Sequence, residues 1–222
     1  MKIDQLIRSR RKTVALIIQK DGRLVVRAPL RTSLRQIEQF VVEKTGWIKD
    51  KQEQVSKIIQ QRPQRKYISG ESFLFQGKSY PLEIINKGAY PLTFKTHFIM
   101  DQRYQTKAES AFTAWYKIEA RRIINQRTAI YATRFGYQYH QIRITSARTR
   151  WGSCSIKGNL SFSWRLIMAP LEVIDYVIIH ELAHVVEHNH SRAFWDRVKN
   201  HMPEYQNHRR WLKENGHLLT LD

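Results

Sequence analysis

Apolar residues change their period several times along the chain, and each change marks an element. Thr13–Ile18 and Leu24–Ala28 are short apolar runs around Asp21-Gly22, a pairing suited to a tight hairpin turn. Pro29, lacking an amide proton, ends the second run. Ser33 is placed to cap a helix reaching about Gln60, with Leu34, Ile37, Phe40, Val41, Ile48, Val55 and Ile58 at helical spacing and Gly46 as a break. Arg62–Arg65 reads as a connector. Phe73–Phe75 and Tyr80–Ile85 form a second hairpin around Gly77-Lys78, and a short strand follows near Leu92–Ile99. Residues 1–104 therefore read as a β-rich portion with one long helix.

Residues 107–135 return to helical spacing through Ala111, Trp115, Ile118, Ile123, Ala129 and Tyr131, with Gly136 as the stop. Gln141–Thr145 alternates as a strand. Trp151–Ser155 and Asn159–Trp164 read as two further strands around Lys157-Gly158. Pro170 suits the first turn of a helix, and Glu172 suits its positive end. No internal repeat is visible. The pattern is α+β, with residues 105–222 as a second, more helical domain.

Composition narrows this further. The chain has 222 residues, 42% of them hydrophobic, enough for a sizeable core. A single cysteine forbids an internal disulfide and points to a reducing compartment. The N-terminus is polar at once, and the apolar runs are too short to span a bilayer, so a soluble, cytoplasmic protein is expected. Net charge is +19, but residues 171–222 hold 8 acidic against 6 basic residues, so the excess lies elsewhere. Such an excess favours nucleic acid, nucleotides or anionic surfaces, and it also serves solubility alone.

The one acidic stretch carries the chemistry. His180-Glu181-Leu182-Ala183-His184 fits H-E-x-x-H. Residues four apart share a helix face, so both imidazoles can reach one ion. Glu181 stands about 100° round the helix, beside a metal-activated water rather than on the metal. Zinc lowers the pKa of such a water to about 7, and an adjacent carboxylate can take its proton. Val173 and Val177 extend the same face, which places the motif in a partly dry cleft. A catalytic zinc needs a third protein ligand. His188 keeps the register but stands about 12 Å from His180 on an unbroken helix. His190 serves better if the chain turns at Glu187-His188-Asn189, with asparagine in the left-handed conformation, and Ser191 then caps another helix. His190 is the preferred ligand and His188 the alternative.

Arg150-Trp151-Gly152-Ser153-Cys154-Ser155, Trp164-Arg165-Leu166, His180–His184 and Asn189-His190-Ser191-Arg192-Ala193-Phe194-Trp195 together resemble the YgjP-like metallopeptidase family, which is related to SprT-like and WLM zinc peptidase domains. The resemblance is strongest over about 140–215. It implies a zincin-like catalytic region, a small sheet packed on helices, with Zn2+ on His180, His184 and His190 and Glu181 as general base.

Around this centre, Arg148, Arg150, Tyr176 and His188 are candidate transition-state or substrate contacts. Arg165 and Tyr205 belong to the same wider set, and Asp175 and Asp196 are candidates to orient the imidazoles. Trp151, Trp164 and Trp195 read as core anchors, and Cys154 as a small buried hydrophobe. Three functions compete: a zinc metallopeptidase, a metal-dependent nucleotide phosphoanhydride hydrolase, and a nucleic-acid-associated protease recruited through the basic surface. The absence of a Gly-rich phosphate loop weighs against the second.

Overall fold

The computed structural model describes residues 2–19, 21–61 and 65–221. The side chain of Ile58 and most of the Arg62–Arg65 connector lie outside them. The chain divides into two compact units, Met1–Arg62 and Pro63–Asp222.

In the first unit, β2 (Ala15–Ile18) and β3 (Leu24–Pro29) form the expected antiparallel hairpin, with Gly22 at φ +84°. A third strand, β1 (Gln5–Ser9), pairs parallel to β3 and is not evident from the sequence pattern. Asp4 Oδ2 accepts from the Leu24 amide at 2.7 Å and sets that register. Two helices follow, α1 (Leu34–Glu43) and α2 (Thr45–Gln61). Ser33 and Gln36 cap α1 reciprocally, Ser33 Oγ accepting from the Gln36 amide and Gln36 Oε1 from the Ser33 amide. The break falls at Lys44 rather than Gly46. Leu24, Val26, Ala28, Ile37, Val41 and Ile48 form this unit's core, while Leu34 is exposed.

The second unit begins with β4 (Ser72–Phe75), β5 (Lys78–Ile85), β6 (Leu92–Phe94) and β7 (Phe98–Asp101), ordered β4-β5-β7-β6. It continues through α3 (Ala108–Phe135), which Gly136 ends at φ 72°. The division near residue 104 read from the sequence does not coincide with the observed one. The reason is aromatic packing: Phe73 stacks on Phe112 at 4.0 Å, Phe98 meets Trp115 at 4.9 Å, and Tyr116 Oη donates to Leu74 O at 2.6 Å. These rings also set which face of α3 is buried. Ala108, Phe112, Tyr116, Ala120, Ile124 and Ala132 point inward, and Ile118 is left exposed.

A second sheet, order β8-β10-β9, comprises β8 (Gln141–Thr145), β9 (Gly152–Cys154) and β10 (Asn159–Ser163). β10 runs parallel to β8 and antiparallel to β9, which leaves β9 at an edge. A buried 3-10 turn, Trp164–Met168, leads to α4 (Leu171–Ala183), α5 (Arg192–His201) and α6 (Tyr205–Asn215). Pro170 sits one position before α4, as its N-cap. The β4–β5 hairpin tip holds this entrance. Gln76 and Gly77 both have positive φ, their amides donate to Ile167 O and Met168 O, and a Cβ on Gly77 would lie 2.7 Å from Pro170 Cγ. No helix among the described residues is long and apolar enough to cross a membrane.

Candidate active site

α4 is buried nearly all round, through Val173, Ile174, Val177, Ile178, Ile179, Leu182 and Ala183. A helix held this way fixes whatever polar groups it carries. His180 and His184, one turn apart, set their rings 4.9 Å apart at 83°. The helix ends at once: the Val185 and Glu187 amides donate to Leu182 O and Ala183 O, and His184 Nδ1 meets Glu187 O at 2.8 Å. The chain then doubles back without the left-handed asparagine expected at 189. The only positive-φ non-glycine residues described are Tyr67 and Gln76. Asn189 instead turns the chain with its side chain, Oδ1 accepting from the Ser191 amide, and Ser191 Oγ caps α5 by accepting from the Phe194 amide.

This return brings His190 Nε2 within 3.1 Å of His180 Nε2 and 3.2 Å of His184 Nε2. The three side chains form a group that could hold a metal ion. Two Zn–N bonds at a tetrahedral angle would space their nitrogens by about 3.4 Å, so the spacing fits. The donor chemistry fits as well. Burial first, then the neighbouring His184 and His190, push His180 down to about 3, so its imidazole is neutral at physiological pH. The Glu187 carbonyl holds the proton of His184 on Nδ1 and leaves Nε2 free to bind. His180 Nδ1 is buried without a hydrogen-bond partner among the described residues. Phe194 stacks on His184 at 4.3 Å and Trp195 on His190 at 5.5 Å, so α5 backs the cluster with aromatic rings.

Glu181, next to His180 on α4, is buried. Strand β9 passes so close that a Cβ on Gly152 would lie 2.5 Å from Glu181 Oε1 and 2.6 Å from its Cγ. Only glycine leaves room for the carboxylate there. Burial pushes Glu181 up to about 8, against an opposing pull from Arg150. A cation at the histidines would act in the same direction as Arg150. Glu181 and His180 open into a cleft of 250 Å³, also lined by Trp151, Gly152, Tyr176, Val177, Arg209 and Leu212.

The structure thus brings His180, Glu181, His184, His190 and Tyr176 together. Burial raises the Tyr176 phenol to about 12, so it remains a donor. Arg150 acts on Glu181 through its charge. Arg148 and His188 are exposed and do not line the cleft, because the chain turns before His188 can face the ion position. Arg165 is buried under Trp164 and donates to Ser146 O at 3.1 Å. Asp175 does not orient an imidazole. Arg127 and Tyr131 on α3 engage its carboxylate, while Asp196 pairs with Arg192 at the surface. All three tryptophans pack on the core, Trp164 fully buried in it; Trp151 also walls the cleft and Trp195 also backs His190. Tyr205 is buried and stacked on Trp195. Cys154 is half-buried, and burial followed by the nearby Glu181 pushes its thiol up to about 11, which leaves it unreactive. Gly152 enters the sequence reading only within the Arg150–Ser155 motif, with no role of its own, and Arg209 and Leu212 do not enter it at all. The last two stand three residues apart on a helix whose apolar signal is weak.

Three convergent imidazoles beside a buried carboxylate, in an open cleft, define a site of the metal-dependent hydrolase class. The family model for the YgjP-like metallopeptidase domain matches residues 12–215, and the chain belongs to that family. Among solved structures it is similar to the metallopeptidase zymogen of Pyrococcus abyssi abylysin. The identity is 22%, the match covers 44% of this chain and 99% of the other, and the TM-score is 0.39. No curated protein matches the chain.

Proposed function

We propose that this metallopeptidase hydrolyses peptide bonds with zinc held by His180, His184 and His190 and with Glu181 as general base. The observation that carries the reading is the 3.1–3.2 Å convergence of three Nε2 atoms one residue from a buried carboxylate. A divalent ion held there supplies a Lewis acid, which acidifies water and polarises the scissile carbonyl. Glu181 takes a proton from the attacking water and passes it to the leaving amine nitrogen, so the carboxylate is regenerated and each product fragment is complete. Gly152 keeps the carboxylate aimed into the cleft rather than against the strand. Tyr176, protonated throughout, is the candidate donor to the oxygen that gains charge.

The test is Glu181→Gln, which keeps shape and hydrogen bonding but removes the base. Peptide turnover should fall about 10²–10⁴-fold, while elemental analysis still finds one zinc per chain. Unchanged turnover would remove Glu181 from the mechanism. Nucleoside triphosphates assayed alongside test the phosphoanhydride alternative: phosphate or pyrophosphate release that depends on Glu181 would favour it.

A further inference from the structure

Helix α6 turns Tyr205, His208, Arg209 and Leu212 toward the cleft side of α4. Tyr205 is buried against Trp195 at 5.4 Å, and His208 stacks on Tyr176 at 6.4 Å. Arg209 is the only charged residue of the four. Its guanidinium lies 4.8 Å over the Trp195 ring, and Trp195 itself stacks on His190. One indole therefore ties the position of this cation to the histidine cluster. Arg209 also lines the cleft that contains His180 and Glu181.

Arg209 is exposed at the cleft mouth, open to an incoming ligand. Elsewhere in this unit Arg103, Arg122 and Arg127 each pair with a carboxylate, whereas Arg209 forms no ion pair among the described residues. Besides Glu181, the cleft is lined by Trp151, Gly152, Tyr176, Val177, His180 and Leu212, none of which is an anion that pairs with it. The only acid lining the cleft, Glu181, has Arg150 as its cationic influence. A planar guanidinium held on an aromatic face has its fork of donors already oriented, and a carboxylate is the complementary partner.

We propose that Arg209 is a specificity residue that binds a carboxylate of the peptide substrate beside the scissile bond. This rests on the metallopeptidase reading above. Its source is either an acidic side chain or a free C-terminus, and both present the same two oxygens.

The test uses fluorescein-labelled alanine-host octapeptides with one Glu or the matching Gln, scanned through each position and made with free or amidated C-termini. Binding is measured by fluorescence anisotropy on zinc-loaded Glu181→Gln protein, so the readout does not need turnover. In at least one register the carboxylate peptide should bind about tenfold more tightly than its neutral partner. A preference that survives amidation assigns the side chain, and one lost on amidation assigns the terminus. Adding Arg209→Gln, which keeps a planar amide over Trp195, should bring the ratio to about one, and Arg209→Glu should reverse it in favour of a Lys peptide. Equal binding of the paired peptides, no binding of either, or a ratio unmoved by Arg209→Gln would overturn the proposal. So would inhibition by inorganic pyrophosphate that depends on Arg209 without any carboxylate preference. Cleavage of the same peptides by the wild type reports separately on the metallopeptidase reading: cleavage without preference sinks Arg209 alone, and preference without cleavage sinks the peptidase alone.

Discussion

Glu181 depends on an atom that is absent. A side chain at Gly152 would place Cβ inside the van der Waals radius of both Oε1 and Cγ of Glu181. Neither group can retreat easily, since Gly152 is held in the ladder with Phe162 and Glu181 lies on the most buried helix. Gly152→Ala should therefore rotate the carboxylate out of line and cut turnover at least tenfold, a displacement of about 1 Å being enough for larger losses. Zinc content should be unchanged, because the three imidazoles are untouched. Elemental analysis and kinetics on one preparation check both halves, and a fully active variant would contradict the crowding argument. At this scale the sequence was informative where the chemistry is contiguous. His180, Glu181 and His184 announce themselves through i, i+4 spacing, but the demand for glycine at 152 arises from a helix distant in sequence.

Between elements, what holds the metal helix is the tie to α3. Arg127 donates through Nε to Asp175 Oδ1 at 2.7 Å and through Nη2 to Oδ2, and Tyr131 Oη donates to the same carboxylate at 3.0 Å. Asp175 is buried and Arg127 half-buried. Removing Asp175 leaves Arg127 partly solvated, so the loss should fall below the roughly 3 kcal/mol of a fully buried pair, at about 1–2 kcal/mol. Asp175→Ala should lower the urea midpoint accordingly, read by circular dichroism, with zinc stoichiometry retained. A midpoint within error of wild type would mean the pair is solvated. Most helices and strands were legible from period and caps, Ser33 and Ser191 above all. β1 was not, because five residues with polar neighbours carry too little pattern, and α6 was not, because its face is mostly aromatic and polar.

Across the whole molecule, charge and protonation set the behaviour. In metal-free protein the folded state holds the Glu181 proton up to about pH 8, against an ordinary 4.5. Between those values it binds more protons than the unfolded chain, so stability declines as pH rises. His180 acts oppositely lower down. Its folded value of about 3 lies below 6.5, so stability rises with pH across that interval. The slopes oppose each other from 4.5 to 6.5, and above 6.5 the effect of Glu181 remains. Chelated protein should lose thermal stability from pH 6.5 to 8 by calorimetry, and Glu181→Gln should flatten the decline. An equal decline in the variant would place its origin elsewhere. The net charge of +19, concentrated outside residues 171–222, also predicts retardation of DNA at about 50 mM salt that fades by about 200 mM. No retardation at low salt would leave the charge to solubility alone.

The sequence by itself determined the α+β class, most of the elements and the family, because local period, caps and contiguous motifs are properties of neighbours along the chain. It also determined the reactive centre as far as one helix could carry it. Tertiary structure decided the rest. It placed His190 on the same point as His180 and His184 through a side-chain turn at Asn189, divided the chain at Arg62 through aromatic packing on α3, and brought Gly152 and Arg209 to one cleft. These depend on close approach between segments far apart in sequence, which no local pattern records.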